Sequence, residues 1–380
     1  MDFLNRISNS LIRQLANFSW QHPFSSSKQI LRFLSNRSKR LCSAIFQIRR
    51  SGFIPDIEIH VLGGLGDSIV ATRWVKEFMS QLKSEVKVSF YSSNPKQLAW
   101  LVQLEQQTIK FFSDTYLPKR PNTPRIQIGH QVQLSSGKIE NLRECFISLS
   151  LSKNLRIQPL DPEFNEQVTP ILGRQISQIA ISKGLRRNNY IFSSTGLRFP
   201  GDSLKIKTKI PSIQLPETYI TLHNGYDENF FLTSEDSTKN YQEFQPIVDF
   251  VQENLGIPVI QVGLSTTSKP LEVAYNLLDR TNLQEVGAIL DKALLHIDVE
   301  SGLVHLAASL GTRCVVIFGP TPWEYFGYPT NINLFSISCT PCWWLQNDWM
   351  NTCHRSANKL CCTKDINFQE IIEQIITIVN

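Results

Sequence analysis

Along the chain, short apolar runs alternate with segments whose apolar residues recur at helical spacing, and the rhythm occurs twice. Residues 57–62 form a β-rich run that ends at Gly63, Gly64 and Gly66. Ile69, Val70, Trp74, Val75, Phe78 and Met79 then repeat with the 3.6-residue period of a helix. Strand, turn and helix are predicted, with a further strand over 85–91, as in a βαβ unit. Residues 92–205 are less regular. Strands are expected around 125–134 and 144–150, and a helix near 163–184 that Pro170 starts or interrupts. Gly201, Pro211 and Pro216, set among polar residues, mark a boundary over 201–218.

Beyond that boundary the alternation is cleaner. Strands are predicted at 219–223, 258–263 and 314–318, and a short segment at 294–298. Helices are predicted around Phe244, Ile247, Val248 and Val251, then over 283–293, 302–310 and 368–378. Alternation of this kind implies an α/β protein with two mainly parallel, Rossmann-like sheets. The expected division is an extension over 1–55, an N-terminal domain over 56–208 and a C-terminal domain over 209–380.

Composition changes this picture at the N-terminus. A chain of 380 residues fits two domains, and 42% hydrophobic with 19% charged residues is a globular profile. The net charge of +5 is uneven: residues 1–50 hold nine Lys or Arg against Asp2 alone, so +8 lies there and −3 on the rest. Leu31, Leu34, Leu41, Ile45 and Ile48 can share a helical face bordered by Arg37, Lys39, Arg40, Arg49 and Arg50. Such a helix suits an anionic membrane surface; packing on the body and an organellar transit peptide are the other readings. A mildly acidic body argues against a nucleic-acid partner. No apolar run is long enough to span a bilayer and no cleavable signal is evident, so the expected location is cytoplasmic or peripheral at the inner membrane.

Three segments carry candidate chemistry. In GGLGDSIVAT, Gly63, Gly64 and Gly66 bring backbone amides to a helix N-terminus, where they can meet a phosphate or another anion. Asp67 either caps that helix or faces the cleft as a general base. In the run from Glu300 to Tyr328, Ser301 can cap a helix opened by Gly302, and His305 lies on its first turn, as a ligand contact or a structural histidine. The strand that follows ends in a second turn containing Gly319 and Thr321 at the carboxyl edge, where open α/β sheets bind ligands. Tyr325, Phe326, Gly327 and Tyr328, with nearby tryptophans, are expected at the cleft mouth or a subunit contact. The third segment, 339–362, holds Cys339, Cys342, Cys353, Cys361 and Cys362. Its CxxC pair and later thiols suit a four-thiolate zinc or iron site; the other reading is reduced cysteines buried beside Trp343, Trp344 and Trp349.

The succession GGLGDSIVAT, ESGLVHLAASLG and VVIFGPT resembles glycosyltransferase family 9, the ADP-heptose:lipopolysaccharide heptosyltransferases and their relatives, over residues 57–378. That resemblance implies a GT-B fold, two Rossmann-like domains facing a central cleft, and inverting transfer without a catalytic metal. It makes Asp67 the base and places the Asp-(Ser/Thr)-Gly-x-x-His donor element on Glu300, Ser301, Gly302 and His305. The family's lysine falls on Lys239 within STKNYQEFQ, as a phosphate contact or as an exposed lysine without a role. The resemblance also implies that Cys362 completes a structural metal site with Cys339, Cys342 and Cys353, as in an iron-bound finger of one protein-glycosylating branch. Two departures leave the donor open: Glu300 replaces aspartate, and residues 263–270 lack an acidic ribose contact. ADP-heptose is the family default. Glycan, lipid-linked glycan and protein are the candidate acceptors, and homo-oligomerisation is a further expectation. A GT-B epimerase and a noncatalytic nucleotide-sugar-binding or assembly protein are the alternatives.

Overall fold

The computed structural model describes residues 56–81, 87–104, 109–115, 125–135, 158–159, 170–226, 237–353, 355, 362–363 and 366–379. The basic helix expected within 1–50 and the strand at 144–150 lie outside the described residues. Among the described residues, no helix is long and apolar enough to cross a membrane.

The first half runs β1 (Asp56–Val61), α1 (Leu65–Ser80), β2 (Lys87–Ser92), α2 (Pro95–Val102), β3 (Ile109–Ser113), β4 (Arg125–Ile128), β5 (Val132–Ser135), β6 (Gln158–Pro159), α3 (Pro170–Ser182) and α4 (Arg187–Thr195). Its strands form one sheet in the order β3-β2-β1-β4-β5-β6. The expected strand around 125–134 is two antiparallel strands, β4 and β5, because the chain reverses at Gly129, His130 and Gln131. Pro170 opens α3, where its missing amide costs no helical hydrogen bond. In α1 the predicted stripe is the buried one: Ile69, Val70, Trp74, Val75 and Phe78 are at most 1% exposed.

The second half runs β7 (Ile220–Leu222), α5 (Phe244–Glu253), β8 (Val259–Gln261), β9 (Tyr275–Asn276), α6 (Leu283–Lys292), β10 (Leu295–Val299), α7 (Gly302–Leu310), β11 (Cys314–Phe318), α8 (Trp323–Phe326), β12 (Ile332–Phe335) and α9 (Phe368–Val379). All five strand pairings are parallel, in the order β12-β11-β10-β7-β8-β9. Every residue of β10 and β11 is buried, as befits strands covered on both faces.

Each sheet therefore reverses its strand order at one place: between β1 and β4 in the first, and between β7 and β10 in the second. Ligands of open α/β sheets lie beyond the carboxyl ends of the strands at such a reversal. The two sheets share an apolar seam. Ile69 and Leu101 of the first half pack with Leu303, Val304, Leu306 and Ala307 of α7. Residues 197–219 run between the halves without helix or strand, held by Leu204 N donating to Ser309 O and Trp100 Nε1 donating to Lys207 O.

Candidate active site

The carboxyl ends of both reversal points open into one cleft of about 560 Å³. The first sheet contributes Gly63, Gly64, Gly66 and Asp67 after β1, and Gly129 with His130 after β4. The second contributes His223 and Gly225 after β7, and Glu300, Ser301, Gly302 and His305 after β10. Lys239, Thr321 and the tryptophans 343, 344 and 349 complete the wall used below.

Asp67 caps its helix and also faces the cleft. Its Oδ2 accepts the Gly64 amide at 2.9 Å, so it closes the N-terminus of α1, while its side chain stays 27% exposed to the cleft. Gly63 makes this possible. It adopts φ +95°, and a Cβ there would lie 2.1 Å from Asp67 Oδ2. The other carboxylate oxygen accepts Arg187 Nη2 at 2.5 Å, and the same nitrogen donates to Gly129 O at 3.1 Å. Burial pushes the Asp67 carboxyl upward, but the Arg187 guanidinium, aided by the Gly64 amide, holds it below the usual carboxylate range. It is ionised at neutral pH.

Arg187 and His130 are site residues that the sequence did not suggest. Arg187 begins α4, 120 residues from Asp67, and no local motif marks it. His130 stands in the β4–β5 turn, edge-on to Trp343 with ring centroids 5.0 Å apart. Loss of hydration, reinforced by Arg187, drives the His130 ring down to about 3, so it is neutral beside Asp67.

The second wall is a charged chain. Lys239 Nζ donates to Glu300 Oε2 at 2.7 Å, and His305 Nε2 lies 3.9 Å from Glu300 Oε1. Burial opposes ionisation of Glu300, but Lys239 and His305 outweigh it and hold the carboxyl far below its usual value. Ser301 caps α7 by accepting the Leu303 amide at 3.1 Å, and its hydroxyl donates to Asp298 Oδ2 at 2.5 Å. Asp298 is fully buried, and its carboxylate also takes His223 Nδ1 at 2.9 Å and His296 Nε2 at 3.2 Å. Polar residues inside a strand that is buried throughout thus anchor the cap of the cleft-facing helix. Thr321 is 3% exposed, and its Oγ1 has no hydrogen-bond partner among the described residues.

Two of the cleft glycines are also required by packing. A Cβ on Gly66 would meet His305 Cδ2 at 2.5 Å, and one on Gly302 would meet Leu65 Cβ at 2.8 Å. The N-termini of α1 and α7 therefore touch reciprocally through glycine. Gly319 lies behind the cleft, where a Cβ would meet Thr238 O at 2.6 Å.

The expected metal site is corrected. Among the described residues, no group of three or more His, Cys, Asp or Glu side chains is placed to hold a metal ion. Cys342, Cys353 and Cys362 are buried, and the Cys339 thiol donates weakly to Thr340 O at 3.8 Å. Trp343, Trp349 and Met350 belong to the apolar seam. This segment braces the cleft instead. Thr238 N donates to Met350 O at 2.7 Å and Thr238 Oγ1 to Trp349 O at 2.9 Å, which fixes the residue before Lys239. Trp343 O accepts Arg174 Nη1 from α3, and Trp343 N donates to Pro320 O, tying the segment to both halves. Tyr325 and Tyr328, expected at the cleft mouth or a subunit contact, are each 1% exposed.

Residues 261–348 match the family model described as glycosyltransferase family 9 (heptosyltransferase). That segment is under a quarter of the chain, and it carries Glu300, Ser301, Gly302 and His305 of the cleft wall. Among solved structures, the chain is similar to the dodecameric iron-containing heptosyltransferase TibC in complex with ADP-D-beta-D-heptose, at TM-score 0.57 and 16% identity over 86% of this chain and 76% of that one. A second TibC structure, from enterotoxigenic E. coli H10407, gives TM-score 0.56 and 16% identity over the same shares. At that identity the likeness speaks to the fold, which is GT-B. No curated protein matches the chain in sequence.

The Asp67–Arg187 pair can be tested directly. With its carboxyl depressed, Asp67 adds stability that is complete above its unfolded value of 3.8 and is lost as pH falls through the folded value. In Arg187→Met the Asp67 carboxyl should titrate at higher pH, and this part of the acid-side loss in melting temperature should shrink. Carbon-13 titration of labelled aspartates, beside melting curves between pH 3 and 7, reads both effects. An unmoved Asp67 resonance would contradict the pairing.

Proposed function

We propose that the chain is an inverting glycosyltransferase that moves a sugar from a nucleotide-sugar donor to a hydroxyl of a glycan, lipid-linked glycan or protein. The observation that carries this reading is the opposition of two unlike walls across one cleft. A single ionised carboxylate, Asp67, stands at the reversal of the first sheet, and a helix N-terminus with a lysine stands at that of the second. The first suits proton removal and the second suits a diphosphate.

In this mechanism the acceptor oxygen attacks the anomeric carbon on the face opposite the nucleotide. A new C–O bond forms while the bond from that carbon to the phosphate oxygen breaks, and its electron pair leaves with the nucleoside diphosphate. The hydroxyl proton passes to Asp67. Arg187 keeps Asp67 ionised at the expense of basicity, so proton transfer comes late, when the attacking hydroxyl has become acidic. Charge gathering on the departing diphosphate is met by the first amides of α7 and by Lys239. Glu300, relieved of Lys239 by the phosphate, then accepts hydrogen bonds from sugar hydroxyls.

Heptose is the favoured sugar because TibC, of similar fold, is a heptosyltransferase seen with ADP-D-beta-D-heptose. TibC is also dodecameric, which supports the proposal of a homo-oligomer. Peripheral attachment to an anionic membrane rests on residues 1–50 and is tested by liposome binding with and without them.

The deciding experiment measures nucleotide release from a panel of nucleotide sugars, with and without glycan, lipid-linked and protein acceptors. Acceptor-dependent release from at least one donor is expected. Conversion of a donor without an acceptor would favour an epimerase, and binding without turnover a noncatalytic role; either would overturn the proposal.

A further inference from the structure

Arg73 lies on α1, the helix that carries Asp67, yet its guanidinium reaches away from its own sheet. Nε donates to Asp202 O at 2.8 Å in the connecting segment, Nη2 donates to Ser309 Oγ on α7, and Nη1 donates to Tyr328 Oη at 3.4 Å. The side chain is 1% exposed. Among the described residues its partners are neutral oxygens and no carboxylate, an unusual setting for a buried cation. Tyr328 is the partner able to answer that charge. Its hydroxyl also lies 2.8 Å from His305 Nδ1, and its ring is flanked by the guanidinium carbons of Arg73 at 5.8 Å and Arg186 at 5.9 Å. The other edge of His305 faces Glu300, and its carbon edge abuts Gly66 of α1.

We propose that Tyr328 is a positioning residue for His305, and that Arg73 extends this hold across the seam between the two sheets. The donor-site imidazole then takes its working orientation and protonation only when α1 and α7 are packed together. This rests on the reading of the cleft as a nucleotide-sugar site.

The two side chains in contact with His305 favour its charged form. Burial opposes its protonation, but Tyr328 and Glu300 raise the imidazole above its usual value; the cations Lys239 and Arg73 stand one contact farther, paired with Glu300 and Tyr328. Burial likewise opposes ionisation of Tyr328, but Arg73 and then His305 bring its hydroxyl down to about 8. Tyrosine and histidine therefore titrate as a coupled pair across a 2.8 Å contact, with a cation from the other half of the molecule beside the tyrosine. Held at Nδ1, the ring turns Nε2 toward Glu300 and the cleft, where an imidazolium would stand beside the leaving diphosphate. Separation of the sheets would withdraw Arg73 and Gly66 together.

The test uses the full chain and needs no donor. Nitrogen-15 histidine spectra, with His305 assigned by its loss in His305→Gln, should show the His305 titration moving to lower pH in Tyr328→Phe. Ultraviolet titration of tyrosine should show one hydroxyl ionising near pH 8, absent in Tyr328→Phe. In Arg73→Lys that ionisation should move up toward the ordinary value, because an ammonium cannot reach all three oxygens at once. With any donor turned over by the wild type, Tyr328→Phe should lower the rate roughly 10-fold to 100-fold and move the pH profile to lower pH. Unmoved titrations in folded Tyr328→Phe and Arg73→Lys would overturn the proposal, leaving these residues as structural links. If the titrations move but no nucleotide binds, the hold on His305 stands and the donor-site reading falls.

Discussion

Asp67→Asn is expected to lower sugar transfer by about 10²- to 10⁴-fold while leaving donor binding nearly unchanged. Asparagine keeps an oxygen for the Gly64 amide, so the cap on α1 survives, but it cannot take a proton from an acceptor hydroxyl. The change also leaves the Arg187 guanidinium without its anion. Because Asp67 is 27% exposed, solvent screens part of that loss, and a stability cost of about 1–3 kcal/mol is expected. Melting curves and initial rates on the same preparation separate the two effects. A variant that melts lower yet transfers at the wild-type rate would show that Asp67 serves the helix and not the chemistry.

Gly66→Ala should be nearly as damaging, although it adds one methyl group at a position with no catalytic atom. Its Cβ would fall 2.5 Å from His305 Cδ2, and that ring has little room to retreat, since Tyr328 holds its Nδ1 edge. Either the ring rotates off its partners or α1 and α7 part. Overpacking of this kind costs about 1–3 kcal/mol. Displacing His305 by an ångström should cost a further factor of about 10² in turnover. Comparison with Gly302→Ala, which meets Leu65 Cβ at 2.8 Å on the other side of the same contact, checks the cause. Both should lower the melting temperature. Comparable turnover with wild type in either variant would argue against a tight seam as a condition for activity.

Much of the architecture was legible because the signals were local. The apolar stripe of α1 and the all-buried strands β10 and β11 need only their own neighbours to be recognised. The glycines at 63 and 64 and the Ser301 cap likewise read correctly as turn and helix start. What stayed hidden depends on distance in sequence. Arg187 meets Asp67 across 120 residues, and Arg73 meets Tyr328 across 255. No spacing rule reaches so far. Gly66 and Gly302 have a packing role that no local pattern shows, because the missing side chain of each admits the opposite helix. The cysteine cluster misled in the other direction. Proximity in sequence suggested a shared ion, but packing carries the segment into the seam, where its tryptophan carbonyls secure Thr238 and Arg174.

The functional account depends most on nucleotide diphosphate occupying the wall formed by Lys239 and the N-terminus of α7. Calorimetric titration of ADP, GDP, UDP and CDP into the wild-type chain and Lys239→Ala addresses this without knowledge of sugar or acceptor. At least one nucleotide should bind the wild type at one per chain, and Lys239→Ala should weaken it about 10-fold to 100-fold, the worth of one charge-assisted contact of about 1.5–3 kcal/mol. Absence of binding by all four, or equal affinity in both proteins, would contradict the account.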